Sequence, residues 1–86
     1  METIIELLEK YGISASWQEP GYTDVPLPGG FFAFGTLNSG IWSWDRTMTG
    51  KIVASGSSDF HIDTPPEQVA AWIRQVLTEA GVVRGA

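Results

Sequence analysis

Eighty-six residues without a cysteine make one domain that neither disulfides nor thiolate metal sites can staple, so an apolar core must hold it. The material is there: 43% of the residues are hydrophobic, and four Trp, four Phe and two Tyr each bury a large area. Ten acids against five bases give a net charge of −5, which disfavours nucleic acid and anionic membrane as partners and keeps a small domain soluble.

The chain opens on an acidic segment, Met1 to Glu6, without the basic n-region and apolar run of a signal peptide. No stretch approaches the roughly 20 apolar residues of a membrane span. The expectation is a cytoplasmic protein. The first helix is marked by a capping box, Thr3 with Glu6, followed by Ile4, Leu8 and Tyr11 at helical spacing. Gly12 is placed to end it in the left-handed conformation, with Ile13 touching Leu8.

The period then changes to two. Ala15 and Trp17 alternate with polar residues, Phe32 and Phe34 share one face, and Phe31, Ala33 and Leu37 share the other. Trp42 and Trp44, then Ile52 and Ala54, then Phe60 and Ile62 continue the alternation. These are four or five short strands. Thr47 to Gly50 reads as a hairpin loop with Gly50 left-handed. Asn38–Ser39–Gly40 and Gly56–Ser57–Ser58 read as further turns. Glu19 to Gly30, with three prolines and three glycines, reads as a long loop rather than a central strand, because proline removes ladder donors.

A second capping box, Thr64 with Glu67, and Pro65 at the first helical position announce the final helix. Its apolar stripe is Val69, Trp72, Ile73, Val76, Leu77 and Ala80, and Gly81 closes it with Val82 against Leu77. The order is a helix, a run of strands and a helix. Short loops between the strands favour an antiparallel meander of four or five strands. Both helices then pack on one face, giving a single α+β domain, a two-layer sandwich over 1–86 with a loop at 19–30. The face with Ala15, Trp17, Trp42, Trp44, Phe60 and Ile62 is expected to meet the helices. Ser43, Asp45, Asp59, His61 and Asp63 are expected to meet water.

Chemistry-bearing patterns are sparse. Asp59, His61 and Asp63 project from one side of an extended strand about 6.5 to 7 Å apart and so do not converge on one ion. The wet side of a half-buried strand accounts for them. Pro28–Gly29–Gly30 precedes a strand instead of opening a helix, unlike a phosphate loop. Trp42 and Trp44 lack the basic groove of a base-stacking platform. No catalytic residue, metal site or cofactor is assigned.

The α-β-β-β-α order resembles double-stranded-RNA-binding domains in topology alone. Where that family carries a lysine pair at the start of its final helix, this chain has Pro65, Pro66 and Glu67, so an RNA function is not implied. Trp42–Ser43–Trp44–Asp45, followed by the Pro-initiated Ala/Val/Arg-rich helix from Pro65 to Ala80, resembles uncharacterised small α+β domains of high-GC actinobacteria and their phages. That resemblance spans the last half of the chain and implies a phage or accessory protein, with no known activity.

What remains is surplus apolar surface. Phe31 to Phe34 is apolar on both faces, and Tyr22, Val25 and Leu27 add to it. Either the loop folds back to cover Phe31, or that strand is sandwiched more deeply, or the patch is exposed and marks an interaction surface. The expected function is a non-enzymatic interaction or accessory protein that binds another protein, or itself, through Tyr22, Val25, Leu27 and Phe31. Two alternatives stand beside it: an acidic inhibitor mimicking nucleic acid, and a small hydrolase using Asp59 and His61.

Overall fold

The computed structural model describes residues 3–19, 21–36 and 40–82. Helix α1 (Ile4–Lys10) is followed by strands β1 (Ser16–Gln18), β2 (Tyr22–Leu27), β3 (Gly30–Gly35), β4 (Ile41–Met48) and β5 (Lys51–His61), then by helix α2 (Pro66–Glu79). The five strands form one antiparallel sheet in the order β1-β2-β3-β4-β5, the meander that short connections favour. Both helices contribute to a single core on one face of this sheet.

Local chemistry sets the helix ends. The Thr3 hydroxyl accepts the Glu6 amide at 3.2 Å, while the Glu6 carboxylate accepts the Thr3 amide at 3.0 Å. Two otherwise unpaired donors are thereby satisfied. Gly12 at φ +78° lets Ile13 N–H return to the Leu8 carbonyl, and Ile13 is buried in the core. Gly81 at φ +77° does the same for Val82 and Leu77. The start of α2 differs from expectation. Pro65 is the N-cap residue, Pro66 is the first helical residue, and no side chain caps this end. With prolines at both positions, two of the orphan donors are simply absent, so the cap is less needed.

The segment read as a loop at 19–30 contains β2, paired on both sides. Proline is tolerated there because β1 reaches only Tyr22, Thr23 and Asp24 of β2. At Pro26, β2 pairs with β3 alone, through Phe31. The missing N–H falls where the strand has a single neighbour.

The second difference is at 56–58, where β5 runs on without a turn. Gly56 lies opposite Trp44, and a Cβ added there would come within 2.5 Å of the Trp44 indole nitrogen. Glycine here admits a ring against the strand backbone instead of turning the chain. Where the β4–β5 register shifts between Ile41 and Ser43, Ser58 replaces lost ladder bonds. Its hydroxyl accepts Phe60 N–H at 3.0 Å and donates to the Trp42 carbonyl at 2.8 Å.

The β4–β5 hairpin lies where expected with Gly50 left-handed, but its loop is only Thr49 (φ +52°) and Gly50 (φ +81°), because Thr47 and Met48 pair with Ile52 and Lys51. Two positive φ values match the twist of the flanking strands. Gly40, at φ +72°, donates its N–H to the Thr36 carbonyl. Leu37, Asn38 and Ser39 of the turn expected there lie outside the described residues.

Directly opposed residues of neighbouring strands share a face, so the register sorts the side chains. Trp17, Thr23, Phe34, Trp44 and Gly56 form one inner row, and Val25, Phe32, Arg46 and Ala54 the next. Leu8 of α1 and Val69, Ala70, Ile73 and Leu77 of α2 close over Val25, Phe32 and Phe34. Phe32 meets Trp44 at 5.3 Å between centroids, and Phe34 meets Trp72 edge-on at 5.7 Å. At the margin the Arg74 guanidinium sits over the Tyr11 ring, 4.8 Å from its centroid, tying the two helices. Two residues expected inside lie outside: Ile62 is 68% exposed in the turn after β5, and Trp17 is 58% exposed on the three-residue edge strand. No described helix is long and apolar enough to cross a membrane.

Candidate binding face

With both helices on one side, no described element covers the other face of the sheet. Its rows follow from the same register. Ser16, Asp24, Ala33, Asp45 and Ser55 form one, and Gln18, Tyr22, Gly35, Ser43 and Ser57 the next. The floor is made of small side chains, so it is depressed. A trough of about 310 Å³ runs over Ala33, Gly35, Ser43, Ser55, Gly56 and Ser57, bounded by Tyr22 and Asp45. Tyr22 lies across Gly35, where a Cβ would meet its ring at 2.8 Å. The Ser43 hydroxyl reaches toward the Gly35 carbonyl at 3.4 Å.

The electrostatics of this face come from two carboxylates. Asp24 on β2 and Asp45 on β4 both stand opposite Ala33 of β3. Two strand spacings separate their backbones, roughly 10 Å. Partial burial raises the Asp24 carboxyl above its ordinary value, since desolvation disfavours the charged form. No cation among the described residues forms an ion pair with either group. A guanidinium or ammonium group seated over Ala33 would have a carboxylate on each side and could form charge-assisted hydrogen bonds to both.

The four residues expected to bind a partner are divided by the fold. Val25 is 4% exposed and belongs to the core, and Leu27 packs against that core. Val25 is thereby closed to a partner, whereas Leu27 is partly exposed. Tyr22 and Phe31 are half-buried on the uncovered face, Tyr22 at the trough and Phe31 between Pro26 and Thr47. Asp24, Ala33 and Gly35 were not anticipated as site residues. Asp24 lay in a segment read as loop, which assigns no face. Ala33 and Gly35 are notable only for being small.

A second concavity, about 380 Å³, lies between the start of α1 and the inner face, lined by Thr3, Ile4, Ile5, Trp17, Thr23 and Trp42. It is apolar apart from the two threonines. Asp59 and His61 are exposed at the end of β5, with Asp63 exposed in the turn beyond. No group of three or more His, Asp or Glu among the described residues is placed to hold a metal ion.

Comparison of the chain with protein-family models, with curated proteins and with solved structures gives no match to any of them.

Proposed function

We propose that this protein is a non-enzymatic accessory protein that acts by binding another protein through the uncovered face of its sheet. The observation that carries the reading is the row Asp24–Ala33–Asp45, where two unpaired carboxylates flank a small residue at the trough. A partner presenting a basic side chain is complementary to it in both shape and charge. Tyr22 and Phe31 add aromatic surface on the same face, a type of residue enriched where proteins meet. A cytoplasmic setting belongs to the same proposal. The nucleic-acid-mimic alternative has less support, because Asp45 is the one acid lining the trough and Asp24 the one beside it across Ala33.

The test is a titration with a short arginine-containing peptide, followed by NMR. Saturable shifts of the Ala33, Gly35 and Ser43 amides are expected, weakened by salt and lost in the Asp24→Asn/Asp45→Asn double variant. Shifts elsewhere, or none, would remove the reading.

A further inference from the structure

Strand β5 is the last of the sheet and has eleven residues, so its outer edge is unpaired over a length that edge strands usually avoid. The opposite edge, β1, has three residues, short enough to limit pairing. The usual protections of a long edge are thin on β5. It has no proline and one lysine, at its first position, and no described element covers it. Ile52 and Val53 on it are 66% and 57% exposed. Its pairing with β4 is regular from Ala54 to Ser57 and shifts on either side.

We infer that β5 pairs with β5 of a second copy, antiparallel about a two-fold axis, so that Ser55 lies opposite Ser55 of its mate. Three observations select this occupant and register. An antiparallel two-fold through a sheet must place one residue opposite itself, because directly opposed residues share a face. Within the regular run only Ser55 and Gly56 keep that residue and both its neighbours in regular pairing. Of the two, centring on Ser55 sets Lys51 level with the mate's Asp59, the strand's one cation beside its one carboxylate, at both ends of the ladder. Centring on Gly56 sets Lys51 level with His61 instead. The small residues Ala54, Ser55, Gly56 and Ser57 leave the approach unobstructed.

This pairing rests on the free edge and not on the proposed use of the sheet face, but it bears on it. A two-fold perpendicular to the sheet keeps both uncovered faces on the same side. Ser55, Gly56 and Ser57 line the trough at the β5 edge, so each copy extends the other's trough across the seam. Few residues pair, so the dimer is weak and forms at high protein concentration.

The chain has no cysteine, which makes disulfide trapping clean. Opposed Cα atoms in the inferred register lie about 4.5–5.5 Å apart, within the range a disulfide spans. Ser57 lies opposite Val53 of the mate, so the two Ser57 residues are about 13 Å apart along the strands. Ser55→Cys is expected to form disulfide dimer at least about ten-fold faster than Ser57→Cys in mild oxidant, with both variants matching the parent in circular dichroism. Light scattering on the parent protein should show the mass rising above 9.4 kDa as concentration approaches the order of 1 mM. Equal rates for the two cysteines, a faster Ser57→Cys, or a mass constant at the monomer value would each overturn the inference. The arginine-peptide titration is read on dilute monomer, so the two proposals fail separately.

Discussion

Gly56→Ala gives a sign test of the sheet packing. From propensity alone the change should help, because glycine inside a strand is less favourable than alanine by about 0.5–1 kcal/mol. The structure says the opposite. The new methyl would lie 2.5, 2.7 and 2.9 Å from Nε1, Cε2 and Cζ2 of the Trp44 indole, so the ring must recede by roughly 1 Å to reach ordinary contact. Phe32, 5.3 Å away between centroids, limits that movement on one side. Overpacking of this kind costs about 1–3 kcal/mol, so at mid-range a net loss of about 1 kcal/mol is left after the propensity gain. For a domain of this size that lowers Tm by about 4–8 °C. Thermal unfolding followed by circular dichroism and calorimetry reads it directly. Trp44→Phe should relieve the clash, so the double variant should be more stable than the sum of the two singles by about 1 kcal/mol. An unchanged or raised Tm for Gly56→Ala would show that the indole does not lie on the β5 backbone.

Asp24 and the α1 cap give two further outcomes. Burial raises the Asp24 carboxyl, so ionising it works against the folded state. The relative stability it contributes is present below the unfolded value near 3.8 and is lost as pH rises through the folded value. Asp24→Asn should therefore increase the urea midpoint at neutral pH, with the advantage fading below about pH 4; an advantage independent of pH would contradict this. Thr3→Ala removes the capping hydroxyl and should cost about 1 kcal/mol, measured by urea unfolding near neutral pH. The Thr3 backbone N–H and hydroxyl both hold the Glu6 carboxyl below its ordinary value. The part of the cap carried by Glu6 is accordingly present above its unfolded value and lost as pH falls through the lowered one.

How much of this could be read from the chain depends on how local the determinant is. The α1 cap, the Gly12 and Gly81 endings and the Thr49–Gly50 hairpin are set by residues within a few positions of each other, and each appears as expected. Alternation likewise placed Phe32 and Phe34 on one face and Ala33 on the other. What failed was non-local. Pro26 argues against a strand only if both neighbours need its N–H, and the short reach of β1 removes that need on one side. Gly56 resembles a turn until the indole of Trp44 is known to lie across it. The same apparent turn divides β5 in the sequence pattern and hides the length of the free edge. At the site, Asp45 was expected in water, but its alignment with Asp24 across Ala33 depends on two inter-strand registers that no local pattern encodes. Val25 and Leu27 were assigned to a partner because their strand was read as a loop. Once that segment pairs, alternation sends Val25 into the core.

The most direct measurement is the location of an arginine side chain on the folded protein. An arginine peptide carrying a paramagnetic tag, added to isotope-labelled protein at low salt, should broaden the amides of Asp24, Ala33, Asp45 and Ser55. The amides of Val69, Ile73 and Leu77 beneath α2 should stay sharp. That pattern is expected in the parent protein and should disappear in the Asp24→Asn/Asp45→Asn variant. Broadening centred on the helices, or a pattern unchanged by the double substitution, would contradict it.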